Sequence, residues 1–262
     1  MQGEHPGLVA LAFWLKRERV LVGLGLALVS GLCWAWIVAM ALDMHGPMDG
    51  ASAWMMTPDW TGHQLLLLWA MWAVMMAAMM LPSAAPLLLL YSRAAASRSD
   101  DPRRTTRVLA LGAGYLTVWA SFSVSATVLQ RELAARMLLS PMMEPAATLV
   151  APTLLILAGA YQLTPLKRAC LSACRSPLSF LMQSWRTGVS GAFRMGAEHG
   201  LYCLGCCWAL MLLLFAGGVM NLLVIAALTA WVAVEKLLPL GERAARIAGV
   251  LLVAAGLWTL LR

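Results

Sequence analysis

The charges constrain this chain most: they are gathered between long apolar blocks and nearly absent inside them. A helix crossing the ~30 Å hydrocarbon core of a bilayer needs about 20 such residues in a row. Only 12% of the residues are charged and 61% are hydrophobic, whereas about a quarter of a soluble domain is charged. No block alternates in the way a membrane β-barrel strand does. The chain therefore reads as all-α, a polytopic transmembrane helix bundle forming one integral membrane domain over residues 1–262.

About seven spans are expected: Val20–Leu42, Leu65–Tyr91, Val108–Gln130, Ala147–Leu163, His199–Ala216, Val219–Leu238 and Ala244–Leu261. The fifth and sixth are joined only by Gly217 and Gly218 and also fit a re-entrant hairpin. Lys16, Arg17 and Arg19 precede the first block, which is too long for the apolar region of a cleaved signal and is expected to stay as a span. No internal repeat stands out.

Orientation follows from Lys and Arg, which concentrate on the cytoplasmic side. With the N-terminus cytoplasmic, the inner segments hold Lys16, Arg17, Arg19, Arg93, Arg98, Arg103, Arg104, Arg107, Lys167, Arg168, Arg175, Arg186, Arg194, Lys236, Arg243 and Arg246. Only Arg131, Arg136 and Arg262 fall outside. The expected location is thus the bacterial inner membrane. The net charge of +7 is flanking charge of this kind, so no nucleic-acid partner is expected.

This topology sorts the candidate chemistry by side. The outer loop between the first two spans carries His45, Asp49 and His63 beside several Met and Asp residues, with no Lys or Arg. Such a loop attracts cations and can hold copper, or it is simply a solvated acidic loop. On the inner side, the fifth span opens with Glu198, His199, Cys203, Cys206 and Cys207. At 100° per helical residue, His199, Cys203 and Cys206 lie within about 60° of one another, with Cys207 beside them. Thiolate and imidazole suit Cu(I) and Zn(II). Cys is also a small, adaptable packing residue, and both readings stand for this helix. Gly200 and Gly205 leave room for another helix to come close.

Cys170 and Cys174, spaced i, i+4, can share a metal site if their segment is helical, or are unrelated loop residues, and Pro177 limits any such helix. Cys33 lies alone in the first span and reads as packing. In the second span Met71, Met75 and Met79 repeat at i+4, and so do Trp72, Met76 and Met80. Thioethers prefer Cu(I), but Met stripes also serve as flexible core. Pro82 and Pro86 are expected to break or kink the inner part of this helix. Glu235 reads either as a surface partner or as a residue that orients His199, and Lys236 as an ordinary lysine snorkelling at a helix end.

Five ordered motifs carry a family resemblance. They are Met75–Pro86 (Met-Met-Ala-Ala-Met-Met-Leu-Pro-Ser-Ala-Ala-Pro), Tyr161–Lys167, Cys170 with Cys174–Leu178, Gly200–Trp208 and Gly218–Leu222. Over about 69–236 the chain resembles a bacterial family of unknown function described as predicted metal-binding integral membrane proteins. The resemblance implies metal binding and no particular reaction.

Soft ligands on both faces make copper, as Cu(I), the expected metal, with zinc as the alternative. The expected function is copper handling or transport by a non-enzyme, with the bilayer and a metal ion as partners. A periplasmic metallochaperone or a second membrane subunit is a further expected partner. Two other classes compete: a membrane oxidoreductase using the thiols, and a non-catalytic subunit whose Cys and Met only pack. An oxidoreductase usually needs a reactive pair on the oxidising side, which the sequence lacks. A P-type pump is excluded because its nucleotide-binding and phosphorylation domains do not fit the short loops.

Overall fold

The computed structural model describes residues 6–44, 46, 60–98, 103–140, 143 and 145–261, the side chains of residues 6–19 and 96–98 apart. Each apolar block forms a helix. The ten helices among the described residues are α1 (Pro6–Met44), α2 (Gly62–Arg98), α3 (Arg104–Ala135), α4 (Val150–Gln162), α5 (Pro165–Arg175), α6 (Pro177–Gln183), α7 (Gly188–Met211), α8 (Leu213–Gly217), α9 (Leu222–Leu237) and α10 (Gly241–Leu260). There is no strand among the described residues, only a single bridge between Leu139 and Pro145.

Among the described residues five stretches are long and apolar enough to cross a membrane: Val20–Met44, Gly62–Ala95, Arg104–Ala135, Gly188–Gly217 and Gly241–Leu260. The expected fourth and sixth spans are shorter. α4 has 13 residues and α9 has 16, against the ~20 that a full crossing takes. Their ends are fixed by local chemistry. Thr164 closes α4 and caps α5, its side chain accepting from Lys167 N, with Pro165 at the first position of the new helix. Asn221 caps α9 by accepting from the amides of Leu223 and Val224, and Pro239 follows its end. Conversely, the fifth span starts earlier than its apolar block suggests. α7 begins at Gly188, so the cysteines lie just past the middle of the 30-residue apolar stretch Gly188–Gly217 and not at its start.

The expected break at Pro82 and Pro86 does not occur, because α2 runs through both to Arg98. A helical proline cannot donate and leaves a carbonyl one turn earlier without its amide. Here hydroxyls serve the neighbouring carbonyls. Ser30 donates to Ala78 O, and Tyr115 and Ser83 donate to Met80 O.

Close packing depends on glycines at two crossings. α3 and α7 meet at Gly114 and Gly196. A Cβ on Gly196 would run into the Leu111 carbonyl, and one on Gly114 into that of Phe193. α4 and α10 meet at Gly159 and Gly249, where a Cβ on either would stand 2.7–3.0 Å from the other's carbonyl oxygen. Small residues at a crossing let two helix backbones touch. α2 lies between α1 and α3 and also touches α9, and α5 leans on α7. The core formed along α2, α3 and α7 is therefore where the site lies.

Candidate metal-handling site

The buried face of α7 carries His199, Cys203, Cys206 and Cys207. Each of the three thiols is 1% exposed. Spacing along the helix turns them towards different neighbours. Cys203 Sγ lies 2.8 Å from Lys236 Nζ of α9 and 2.9 Å from the Tyr115 hydroxyl of α3. Cys207 Sγ lies 3.9 Å from Met80 Sδ of α2. Cys206 Sγ lies 3.9 Å from Cys174 Sγ of α5. The thiols of Cys206 and Cys207 also reach back to the Cys203 carbonyl, at 3.1 and 2.8 Å. Lys236 Nζ completes the cluster, 4.0 Å from Met80 Sδ and 3.3 Å from Ser83 Oγ.

α5 is helical, as Cys170 and Cys174 require if they are to share a face, and it lays both thiols against α7. Gly205 admits Cys170: a Cβ there would come within 2.7 Å of its sulfur. Tyr161 locks the same turn by donating to Gly205 O. Burial pushes the Cys170 thiol up. Hydrogen bonding with the Cys203 and Cys206 sulfurs, then burial, pushes the Cys174 thiol well above its ordinary range.

His199 is on the same helix face but has different surroundings. Its ring lies between those of Phe180 and Tyr115, at centroid distances of 5.2 and 6.1 Å. Its Nδ1 is buried with no hydrogen-bond partner among the described residues. It lines a cavity of about 180 Å³ together with Ser83, Cys174, Arg175 and Lys236.

The two candidate glutamates are engaged elsewhere. Glu198 accepts from Ser184 Oγ at 3.2 Å and lies 3.6 Å from Arg186 Nη2 at a partly exposed position. Glu235 is buried and faces different neighbours from Lys236, which follows it about 100° round α9. It accepts from Lys167 Nζ at 2.6 Å, Gln162 Nε2 at 2.7 Å and Trp231 Nε1 at 2.8 Å. It therefore orients no imidazole, and its charge belongs to the α4–α5–α9 junction.

Met75, Met76, Met79 and Met80 are all buried in the core. Met80 is the one with a sulfur contact to a cysteine among the described residues. His63 is exposed at the start of α2, about 25 Å along the helix from Met80 at 1.5 Å per residue. His45 and Asp49 lie outside the described residues, so the outer cluster is described only at His63. Among the described residues no three His, Cys, Asp or Glu side chains form a ready-made metal cage. The sulfurs stand instead as two pairs beside an ammonium group.

Lys236 and Tyr115 are the members of the cluster that residue patterns did not single out as site residues. The available signal for Lys236 was a charge inside an apolar block, a functional mark in its own right. A lone tyrosine in a span carries no such mark.

No curated protein and no solved structure matches the chain. A family model described as a copper chaperone, PpoB2, matches residues 69–259, from the first turns of α2 to the end of α10. That segment holds Met80, Tyr115, Cys170, Cys174, His199, Cys203, Cys206, Cys207 and Lys236, and on this match the chain belongs to the PpoB2 copper chaperone family.

Proposed function

We propose that this protein is a multi-pass inner-membrane copper chaperone that holds Cu(I) among the sulfurs of Cys203, Cys206, Cys207, Cys174 and Met80 and passes it on by ligand exchange. One observation carries the reading: two sulfur pairs from three helices, Cys206–Cys174 and Cys207–Met80, each 3.9 Å apart, meet on the buried face of α7. With metal–sulfur bonds of about 2.3 Å, a 3.9 Å pair subtends roughly 115° at the ion, near a trigonal angle. A thioether among the donors favours Cu(I) over Zn(II). Zn(II) wants four ligands in a tetrahedron, and Glu198 and Glu235 are committed elsewhere.

The membrane location rests on the five long apolar helices and on their outward faces. Leu21, Leu24, Leu28 and Leu32 of α1 and Ile247, Val250, Leu251 and Trp258 of α10 are exposed, an apolar surface that water would not tolerate. The distribution of basic residues supports a cytoplasmic N-terminus. On that orientation His45, Asp49 and His63 belong to an outer loop that gathers or releases copper.

The test is metal analysis of the detergent-purified protein after loading with Cu(I) or Zn(II) under reducing conditions. Wild type should retain copper in preference to zinc. The Cys203→Ser/Cys206→Ser/Cys207→Ser variant should lose most of it while keeping its helical circular dichroism. Undiminished copper in that folded triple variant would sink the proposal.

A further inference from the structure

The cavity beside the sulfurs has a chemical character of its own. Two cationic side chains, Arg175 and Lys236, line it, as do Cys174 and His199, and no Asp or Glu among the described residues does. Arg175 is fixed in place: its Nη2 donates to the carbonyls of Leu238 and Pro239 at 2.7 and 2.9 Å. Those two bonds use both N–H groups of Nη2, while Nε and Nη1 keep donors, each able to make a single charge-assisted bond to a carboxylate. The His199 side chain is 3% exposed, and its Nδ1 has no partner among the described residues. A buried polar atom without a partner is costly and calls for a ligand or water. Through Cys174 the cavity connects to the core, since Cys206 Sγ is 3.9 Å away.

Building on the copper reading above, we infer that this cavity is the port at which copper changes hands with a small thiol bearing a carboxylate. The carboxylate meets Arg175 at the wall, and the sulfur delivers Cu(I) to Cys174. A volume of about 180 Å³ lies well below the ~300–1,000 Å³ of pockets that enclose drug-sized ligands. It accepts a cysteine-sized molecule, or the thiol end of a slightly longer one, and excludes a folded protein. Copper stays Cu(I) throughout. The bond from copper to the carrier's sulfur breaks as the bond to Cys174 Sγ forms. The proton leaving Cys174 goes to the carrier's sulfur, which departs as a thiol. Cys206 then takes the ion onward by the same exchange.

The experiment compares two copper donors that share a thiol and differ in one carboxylate: the Cu(I) complexes of N-acetylcysteine and of N-acetylcysteamine. Loading of the full-length protein in detergent is followed by stopped flow. Wild type should load faster from N-acetylcysteine by about tenfold, the scale of one charge-assisted hydrogen bond. Arg175→Gln should abolish that preference and Arg175→Lys should restore part of it. Equal rates from the two donors in wild type would overturn the port, and so would Arg175→Gln slowing both by one factor. Either result leaves the copper site standing if the protein still fills. Failure to fill from both donors overturns the copper reading itself, and the port with it.

Discussion

Replacing Lys167 by Met separates an anchoring role for Glu235 from a metal-binding one. Lys167 Nζ is 2.6 Å from Glu235 Oε2, and the two side chains are 0% and 2% exposed. Methionine keeps most of the stem and removes the charge. The carboxylate then keeps two neutral donors, Gln162 and Trp231, on its other oxygen. Removing one partner of a buried pair costs about 3–5 kcal/mol. Two surviving hydrogen bonds to the charge, worth roughly 1.5–3 kcal/mol each, hold the loss near the lower end, about 3 kcal/mol. Adding Glu235→Gln removes the orphaned charge. Its new amide accepts from Trp231 and can donate to Gln162 Oε1, which is buried without a partner. The double variant should therefore recover to within about 1.5 kcal/mol of wild type, because an ion pair traded for neutral groups is often tolerated. The assay is urea unfolding in detergent, read as a double-mutant cycle, with copper content measured on each folded variant. Copper should be retained in all of them. A double variant no more stable than Lys167→Met would refute the buried-pair argument. Loss of copper from a fully stable Glu235→Gln variant would put Glu235 back among the ligands.

Two further perturbations probe the same core. Leu at Met75, Met76 and Met79 together should preserve copper content and cost less than about 1.5 kcal/mol per site, since Leu and Met are close in volume. Met80→Leu should fold equally well and bind copper more weakly, and indistinguishable copper affinities for the two variants would remove Met80 from the site. Gly196→Ala should destabilise by about 1–3 kcal/mol through overpacking, because its Cβ meets the Leu111 carbonyl. Gly25→Ala, with nothing within 4 Å, should gain up to about 1 kcal/mol of helix propensity. Equal melting temperatures for the two alanine variants would contradict the crossing at Gly196.

The helical architecture was legible because apolar runs and interrupting charges are properties of short windows of sequence. Span length was less so, since α4 and α9 are cut short by capping at Thr164 and Asn221, while α7 extends through a segment holding Arg194 that hydropathy discounts. The α7 face was legible from spacing alone: Cys203, Cys206 and Cys207 are buried together. What spacing cannot give is the partner from another helix. Nothing local in α2 distinguishes Met80 from Met79, and only the register of α2 against α7 brings Met80 to Cys207. Glu235 illustrates the same limit. Two of its three partners, Gln162 and Lys167, lie in the Tyr161–Lys167 motif, about 70 residues earlier. That motif therefore serves the frame, through Tyr161 on Gly205, Thr164 at the α5 cap and the pair to Glu235.

The division of charge across α9 ties frame to function. Adjacent residues on a helix point about 100° apart, so anchoring Glu235 in the α4–α5 junction turns Lys236 towards α2 and α7. There its ammonium meets Cys203 Sγ, Met80 Sδ and Ser83 Oγ. A buried cation must be matched by polarisable or anionic groups, and sulfurs supply them here. On the proposed function, copper arriving among the same sulfurs would bring a second positive charge within a few ångströms of the first. Repulsion of that kind weakens binding relative to an all-sulfur cage, and a chaperone must release what it holds. A closed four-ligand site would trap the ion. Paired sulfurs with a lysine at their side suit an ion in transit.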